Sequence, residues 1–488
     1  MSKVTIIGGG IGGLATAALL AKDGFSVTLI EKNKQLGGRA RFFEDQGFKF
    51  DMGPSWYMMP DVFEQYFALF DKKPSDFYEL MPVDPRYSIF LSSGKKYTIT
   101  NSLDENIKLF EQIEPSAGEK FKQFLAASEY KYTMAMKSLV KLDYTSLRKL
   151  LQPELILQIH KMNLFQSYHD YIQSYFKNTD LQKILEFMTV FLGGSPYNTP
   201  AFYSLVAHTD FNLKVWHPKG GLHTVIDALE TLCRQHKVHI QTDETVKKIE
   251  ISNKSARTVV TNRNTYESDF VVCNADYHFG ETSLLETKYQ TYTESYWQKK
   301  TLAPSSFLIY VGITGKLPTV DHHNLFFDTF WDEHYDTVYK KPSWPDKPSY
   351  YIHAPSRTDK TMAPEDSETL IFLVPVAAGL EDTDEIRNNF VDKILSHFEN
   401  LVGVSIRNRI VVKHIYSHRN FISDYNAYKG SAFGLAHTLT QTAFLRPLNK
   451  SKKIQNLYYV GQYTNPGVGL PPCLISAQIV HNLITHAK

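Results

Sequence analysis

Hydrophobic and polar positions at the start of the chain follow a β-α-β order. The apolar run Val4–Ile7 predicts a strand, Leu14–Lys22 predict a helix, and Phe25–Ile30 predict a second strand that ends at Glu31. Glycines separate the first strand from the helix. Strands joined by a helix in this way are the building unit of a parallel sheet. The pattern therefore predicts an α/β fold that begins at the N-terminal end of the sequence.

The rest of the chain mixes both periodicities. Apolar spacing predicts a helix over Asp61–Phe70, with Asp61 as its N-cap, and mostly helical structure over residues 103–192. It also predicts a hairpin over 87–100, strands over 238–242, 246–251, 257–262, 270–273, 305–313, 369–376 and 457–460, and helices over 222–235, 384–401 and 474–485. Because no low-complexity linker or repeat separates these segments, we expect the domains to interleave.

Composition narrows the classes of protein. The net charge of +2 argues against nucleic-acid binding. Three widely spaced cysteines, Cys233, Cys273 and Cys473, form no disulfide framework, which favours a reducing, cytoplasmic compartment. We see neither a signal peptide nor an apolar run of ~18 residues, and we expect a soluble or peripherally attached protein.

The glycines of the first strand-helix turn fit the pattern G-x-G-x-x-G. Gly8 permits a tight turn, Gly10 lets a pyrophosphate approach the backbone, and Gly13 lets the helix pack closely on the strand. The pyrophosphate would lie at the helix N-terminus, which favours anions. Glu31 follows at about the 20-residue spacing expected for an acid that binds a ribose hydroxyl. The segment therefore predicts a dinucleotide site.

Two further stretches favour FAD over NAD. A Gly-Gly-Arg step at 37–39 lets the chain pass under a dinucleotide, and Arg39 could bind its phosphates. Near the C-terminus a strand leads into the glycine-rich residues 461–471 and then a helix, a second helix N-terminus for the cofactor. A simple nicotinamide dehydrogenase needs no such second site, whereas FAD lies extended through its domain.

Several motifs resemble those of the bacterial phytoene desaturases, which are FAD-dependent carotenoid desaturases. The matching segments are 8–13, 37–39, Phe50–Ser55, Trp216–Gly221, Val272–Asp276, Asp321–Phe327 and Val460–Pro471. The likeness covers essentially the whole chain. Since amine oxidases share the N-terminal motifs, the later motifs carry the resemblance to this family.

The resemblance implies an enzyme that binds FAD noncovalently and introduces double bonds into phytoene, through desaturated carotenoid intermediates, towards lycopene. Electrons would pass to a quinone or to oxygen. By family position, Glu31 would hold the adenosine ribose, Arg39 the phosphates and Val246 the adenine. Gly53 and Ser55 would pass near the flavin, and Gly461, Gly467, Gly469 and Leu470 would frame the isoalloxazine ring. The other predicted cofactor-binding residues are Gly8, Gly10, Gly13, Glu31, Lys32, Gly38, Arg39 and Val246.

The predicted fold class is α/β, with a Rossmann-type FAD-binding domain interleaved with an α+β substrate domain and a helical, membrane-facing subdomain. We assign residues 1–75, 215–285 and 450–488 to the FAD-binding domain. Residues 76–105 and 286–449 are assigned to the substrate domain, and 106–214 to the helical subdomain. A chain of 488 residues suits two or three domains of ~100–200 residues each.

No catalytic constellation emerges from the sequence. Four polar residues near the flavin loops are candidates, although each is more typical of a structural role: His217, His223, Asp276 and Tyr463. No metal site is predicted, because neither of two histidine pairs has carboxylates or cysteines at ligand spacing: His236 with His239, and His322 with His323.

Other functions stay open at this point. Within the class, they are a hydroxycarotenoid 3,4-desaturase, a C30 diapophytoene desaturase, or a carotenoid isomerase or saturase. A flavin amine oxidase would need an aromatic pair at the flavin, for which Tyr463 offers one member, and acidic groups in its cleft. A flavin-free lipid-binding protein would have no use for the complete glycine motif.

A desaturase of phytoene must reach its substrate in a bilayer. Residues 131–161 contain six basic and two acidic residues interleaved with aliphatic ones. This composition is typical of a basic amphipathic helix in a lipid interface, and also of ordinary surface helices. We hypothesise that the segment borders the mouth of a substrate tunnel and attaches the protein peripherally to the membrane.

Overall fold

The strands form two large sheets and three small ones in the computed structural model, which describes residues 1–142, 144, 162–327 and 331–487. The strands are β1 (Lys3–Ile7), β2 (Ser26–Ile30), β3 (Phe42–Asp45), β4 (Phe48–Asp51), β5 (Leu80–Pro82), β6 (Tyr87–Leu91), β7 (Lys96–Ile99), β8 (Trp216–Pro218), β9 (His239–Gln241), β10 (Val246–Ser252), β11 (Ser255–Thr261), β12 (Thr265–Glu267), β13 (Phe270–Cys273), β14 (Ser305–Thr314), β15 (His323–Phe327), β16 (Tyr350–His353), β17 (Ser367–Val376), β18 (Ile410–Tyr416) and β19 (Leu457–Tyr459).

Some α-helices cover the sheets, and those that lie between β7 and β8 in the sequence form a separate layer. They are α1 (Ile11–Lys22), α2 (Pro60–Ala68), α3 (Leu103–Ile113), α4 (Ala117–Met134), α5 (Tyr168–Tyr175), α6 (Thr179–Glu186), α7 (Leu205–Phe211), α8 (His223–Gln235), α9 (Tyr277–Thr282), α10 (Glu294–Gln298), α11 (Trp331–Tyr339), α12 (Asp384–Val402), α13 (His418–Tyr425) and α14 (Leu470–Thr485). Within the described ranges, none of them combines the length and apolar character needed to cross a bilayer.

The first large sheet is parallel and has the order β19-β13-β1-β2-β9. Its central strand is buried because α1 packs beside both α8 and α14, and the three helices meet in one apolar cluster. Leu14, Leu229 and Leu474 are fully buried members of that cluster. The predicted β-α-β start of the chain is confirmed. Strands from three distant parts of the sequence thus complete one sheet.

The second large sheet is mixed and has the order β18-β14-β17-β16-β15-β6-β7. β14 and β17 pair antiparallel over ten residues, from Ser305 opposite Val376 to Thr314 opposite Ser367. Both strands agree with the sequence prediction. Helix α12 covers one face, where Phe390 is buried. The whole is therefore a mixed α/β fold with a parallel and a mostly antiparallel sheet.

Helices α3 to α7 pack around an aromatic cluster next to β6 and β7. A buried ion pair joins this layer to the mixed sheet, because Arg86 and Asp210 lie 3.4 Å apart (Nη1–Oδ1) and neither side chain is exposed. The hydroxyl of Tyr87 donates to the same carboxylate at 2.7 Å. The helical layer is thus tied to the strand that borders it.

Two predicted helix starts differ from the structure. Helix α2 begins at Pro60, after Met59 in a left-handed conformation (φ 56°), so Asp61 is not its N-cap. The Asp61 carboxylate instead accepts a hydrogen bond from Tyr132. Helix α14 begins at Leu470, four residues earlier than predicted, because proline is tolerated in a first turn.

The buried position of Lys131 contradicts part of the prediction that residues 131–161 face the membrane. Its side chain is buried and its ammonium donates to the hydroxyl of Ser204 at 2.9 Å, over the ring of Tyr171. It therefore cannot face lipid headgroups. Burial lowers the pKa of Lys131 to about 7. The basic residues of the segment at positions 148, 149 and 161 lie outside the described residues.

Replacing Lys131 with Met is expected to raise the Tm at pH 6 more than at pH 9.5, by at least about 3 °C. Because its pKa is lowered on folding, the destabilisation from Lys131 is fully present below pH 7 and fades as the pH rises towards 10.5. Calorimetry at both pH values measures this difference. Lys137→Met, at an exposed position, should change the Tm equally at both. Equal effects of Lys131→Met at both pH values would contradict the assignment.

Candidate functional site

The carboxyl ends of four neighbouring parallel strands meet at one edge of the parallel sheet. β1 leads into Gly8, β2 into Glu31, β13 into Asn274 and β19 into Val460. The strand ends are held together by backbone bonds, such as that from Asn274 N to the carbonyl of Ile7 at 2.7 Å. In open α/β sheets, ligands bind outside this edge.

Close packing at the first strand-helix turn leaves no room for side chains. A Cβ on Gly13 would lie 2.1 Å from the carbonyl oxygen of Gly8, whose φ is 102°. A Cβ on Gly38 would lie 3.2 Å from the Cα of Gly10. The segment around Gly38 therefore runs directly against the turn. Both stretches expose backbone rather than side chains to the space beyond the sheet edge.

Asn274 joins the beginning and the end of the chain at this edge. Its side-chain oxygen accepts a hydrogen bond from Gly13 N at 2.9 Å, and its amide nitrogen donates to the carbonyl of Val460 at 2.9 Å. The motif that contains Asn274 was noted in the sequence, but this double contact was not predicted. No local pattern reveals it, since the three residues are more than 180 positions apart.

Glu31 and its neighbours form the far side of the sheet edge. Glu31 is buried, and its carboxylate accepts hydrogen bonds from the backbone nitrogens of Gly9 and Asn33, both at 2.8 Å. Lys32 follows it, and burial lowers the pKa of this lysine. Val246, the first residue of β10, lies in the wall of the same space. A carboxylate and an apolar side chain thus stand together, as a ribose and a base would require.

Arg39, Gly53 and Ser55 form another part of the wall. The guanidinium of Arg39 lies over the ring of Tyr425, and its buried Nε has no hydrogen-bond partner among the residues that the structure describes. A Cβ on Gly53 would lie 2.3 Å from the carbonyl oxygen of Arg39. Ser55 accepts a hydrogen bond from the hydroxyl of Tyr351 at 2.9 Å. The Arg39 guanidinium therefore lies at the sheet edge with Nε free of a hydrogen-bond partner in the described ranges, while its Nη2 donates to the carbonyl of Ser431 at 3.3 Å.

One cavity of about 930 Å³ contains most of the predicted cofactor residues in its lining. Of the fourteen, all but Gly13 and Gly467 line it. Gly13 serves close packing. A Cβ on Gly467, whose φ is 137°, would lie 2.1 Å from Nε2 of His437. Gly467 is therefore explained by its contact with a histidine that the sequence analysis did not single out, rather than by an exposed position in the cavity.

The same cavity is lined by a set of apolar side chains that we call the apolar arm. Its members come from the helical layer, the mixed sheet and the loop before β19, and include Phe187, Phe191, Leu205, Leu325, Leu373 and Phe444. None of these residues belongs to the parallel sheet. The arm therefore gives the cavity a second region that suits an apolar ligand.

Two buried histidines that line the cavity next to the apolar arm are hydrogen-bonded and uncharged. Burial lowers the pKa of His334 to about 4, and this imidazole bonds the carbonyl of Pro375 and the backbone nitrogen of Ser349. Burial likewise lowers the pKa of His437 to about 3, and its Nδ1 lies 2.8 Å from the carbonyl of Leu192. Both histidines are neutral at physiological pH, so they place no charge in the arm.

The four candidate polar residues have mainly structural contacts. Tyr463 donates to Asp276 at 2.8 Å, and both line the cavity. Asp276 also caps α9, and burial raises its pKa. His223 stacks on the ring of Phe42, outside the cavity lining. His217 is buried among other histidines and also lies outside the lining. None of them forms a nucleophile-base pair.

Comparison with known proteins identifies the family. Residues 11–480 match the family of flavin-containing amine oxidoreductases. The chain is 44% identical to a carotenoid 3,4-desaturase of Haloarcula japonica over 476 residues, which covers 97% of this chain and 96% of the relative. The chain belongs to the carotenoid desaturases within the flavin-containing amine oxidoreductase family. A zeta-carotene-forming phytoene desaturase of Myxococcus xanthus is 32% identical to this desaturase, with 98% and 93% of the two chains covered.

Solved structures share the fold of the desaturase. An oxidoreductase from Methanosarcina mazei has a TM-score of 0.63 at 16% identity, and the match covers both chains completely. A putrescine oxidase variant has a TM-score of 0.63 at 13% identity, with 99% of each chain covered. At these identities the likeness concerns the fold alone.

The cofactor of the desaturase is FAD, in keeping with its family. The residues present fit this group. The unpaired Nε of Arg39 suits a phosphate, and the side-chain-free turn at Gly8 and Gly10 lets a pyrophosphate approach the N-terminus of α1. Helix α14 turns a second N-terminus, just after Gly469, towards the same cavity.

Replacing Asn274 with Ala is expected to weaken FAD binding about tenfold or more. The change leaves Gly13 N and the carbonyl of Val460 without their partner, and a buried unpaired group costs about 1–3 kcal/mol. Titration of the apoprotein with FAD, followed by flavin fluorescence, gives the affinity. Asn388→Ala, at an exposed site in α12, is the control. Wild-type affinity in Asn274→Ala would show that this link does not shape the site.

Proposed function

We propose that this desaturase uses FAD to introduce double bonds into phytoene in the direction of lycopene, as a step of carotenoid biosynthesis. The observation that carries the proposal is the single cavity in which the dinucleotide edge of the parallel sheet and the apolar arm are continuous. Phytoene has no polar group, so its binding must come from burial in apolar surface. The apolar arm offers such a surface next to the cofactor site.

The origin of the strands in each large sheet supports the predicted domains. All strands of the parallel sheet come from residues 1–75, 215–285 and 450–488, which we propose carry the cofactor. All strands of the mixed sheet come from 76–105 and 286–449, the proposed substrate domain. The described part of residues 106–214, the predicted helical subdomain, would form the membrane-facing part of the arm.

FAD, when bound, supplies the hydride acceptor for oxidation of a carbon-carbon single bond. Arg39 and the N-terminus of α1 would hold its pyrophosphate, Glu31 the ribose and Val246 the adenine. The loop from Gly461 to Leu470 would border the isoalloxazine ring. The protein itself would orient the polyene and exclude water. The neutral side chains of His334 and His437, which are hydrogen-bonded within the protein, favour the exclusion of water.

A second candidate is 3,4-desaturation near the end of a linear carotenoid. The specific observation in its favour is the 44% identity to the Haloarcula japonica 3,4-desaturase, compared with 32% to the Myxococcus xanthus phytoene desaturase. Both reactions remove a hydride and a proton from neighbouring carbons of a long apolar chain. They differ in which carbons the arm brings to the flavin.

Product analysis separates the two candidates. Purified desaturase with FAD is incubated with liposomes that contain phytoene, or a linear carotenoid still saturated at its 3,4 bond, under air or with a quinone. We expect phytoene to gain conjugated double bonds, seen by chromatography and absorption. Conversion of the second substrate alone would favour the 3,4-desaturase. Unchanged substrates in the presence of bound FAD would contradict both proposals.

We propose that the substrate enters from a lipid surface at an apolar mouth of the cavity. Four cavity-lining residues are also exposed: Phe165 at 91%, Leu439 at 41%, Phe444 at 48% and Leu445 at 41%. Exposed apolar groups that continue into a cavity suit contact with acyl chains. The mouth thus provides a peripheral attachment that does not depend on Lys131.

Replacing Phe444 and Leu445 with Asp is expected to reduce binding to liposomes several-fold, because two carboxylates would have to enter the lipid interface. Co-sedimentation with neutral and anionic liposomes measures the effect. Val411→Asp, with the same 41% exposure as Leu445 but outside the cavity lining, is the matched control. If the control loses binding as much as the double variant, the membrane face lies elsewhere.

A further inference from the structure

Four buried histidines meet just behind the wall of the cavity. His217 comes from β8, His322 from the residue before β15, His323 from the start of β15, and His353 from the end of β16. One ring nitrogen from each of His217, His322 and His353 lies within 4.8 Å of the others. The Nε2 atoms of His322 and His353 are 3.1 Å apart. Three imidazoles therefore converge from β8, from the residue before β15 and from β16.

Several ring nitrogens of these four histidines have no hydrogen-bond partner. The hydroxyl of Thr358 binds Nδ1 of His322 at 2.7 Å, so Nε2 is the atom that faces Nε2 of His353. Within the described part of the chain, the nitrogens without a partner are both those of His217, Nε2 of His323 and Nδ1 of His353. Such unpaired buried nitrogens cost free energy unless another group binds them.

We propose that His217, His322 and His353 bind a divalent transition-metal ion, in first place Zn²⁺, with a water molecule as the fourth ligand. Zn–N bonds of 2.0–2.1 Å place two nitrogens of a tetrahedral site about 3.3 Å apart. The 3.1 Å between His322 and His353 is close to this value. A small inward movement of the His217 ring completes the set.

The environment has a further feature typical of zinc-binding imidazoles. The Asp359 carboxylate lies 3.5 Å from Nε2 of His217, with the geometry of a carboxylate that orients a ligating histidine. Nδ1 of His217 would then bind the ion.

His323 is not part of the set of three histidines whose nitrogens lie within 4.8 Å of one another, although its Nε2 also has no hydrogen-bond partner among the described residues. Its ring stacks on Trp56 at 4.1 Å, and its Nδ1 lies 2.6 Å from the hydroxyl of Tyr351. Tyr351 in turn donates to Ser55 in the cavity wall. His323 therefore connects the metal cluster to the wall of the flavin site rather than to the ion.

The proposed ion would act as a structural clamp between two sheets. His217 lies in β8, which leads through Gly220 and Gly221 into α8, while His322 and His353 belong to the mixed sheet. Asp359 already accepts a hydrogen bond from Gly220 N at 2.6 Å. The ion would add a direct bond between these elements, so its loss should lower both the Tm and the retention of FAD.

Metal analysis of the FAD-bound full chain, without a histidine tag, tests the site. The protein is treated with a chelator, reconstituted with Zn²⁺ alone, dialysed, and measured by plasma mass spectrometry. We expect about one ion per chain and a higher Tm than in the chelated sample. Co²⁺ alone should give the visible difference spectrum of a tetrahedral nitrogen site. Less than about 0.1 ion per wild-type chain would overturn the proposal, whatever the variants do.

Variants locate the ion. His322→Asn and His353→Asn should each lose the bound Zn²⁺, while His418→Asn, a buried histidine outside the cluster, should keep it. Circular dichroism confirms that each variant is folded. Stoichiometric metal in both cluster variants would overturn the assignment of the ligands. Loss of metal in His418→Asn as well would attribute the binding to the general integrity of the fold and contradict the site.

Discussion

The cofactor edge depends on the close approach of three backbone segments that are far apart in sequence. The side chain of Asn274 holds two of them together, through Gly13 N and the carbonyl of Val460. A side chain at Gly13 would collide with backbone at 2.1 Å. Since these backbone groups are fixed by a parallel sheet, the turn cannot give way. This rigidity keeps the N-terminus of α1 directed into the cavity and ready to receive an anion.

The apolar arm adds a second requirement to the same cavity, that of a dry and uncharged interior. The mixed sheet and the helical layer provide this interior with aromatic and aliphatic side chains. Burial keeps the histidines among them in the neutral form. A charged group in the arm would lose its hydration when an apolar chain binds against it, which costs free energy. The acidic residues of the cavity lining are Glu31, Glu244, Asp276 and Asp424 among the described residues, and each is engaged by hydrogen bonds. This arrangement suits a polyene better than the amine of an amine oxidase.

Local sequence patterns predicted the parts of the structure that local chemistry decides. The glycine motif, Glu31 and the two long strands of the mixed sheet were predicted because turns and apolar runs depend on residues that are adjacent in sequence. The short strands β15 and β16, which contain histidines and tyrosines, were not predicted. The double contact of Asn274 and the meeting of His217 with His322 and His353 also escaped, since partners more than 100 residues apart are joined only by the complete fold.

We propose that flavin and carotenoid share one cavity, so that the substrate reduces the flavin directly. The most direct measurement is the anaerobic mixing of FAD-bound protein with phytoene-loaded liposomes in a stopped-flow spectrometer. We expect the visible flavin absorbance to bleach as a conjugated polyene appears, with one bond oxidised per flavin, and we expect empty liposomes to cause no bleaching. A flavin that stays oxidised with both phytoene and a 3,4-saturated carotenoid would contradict it.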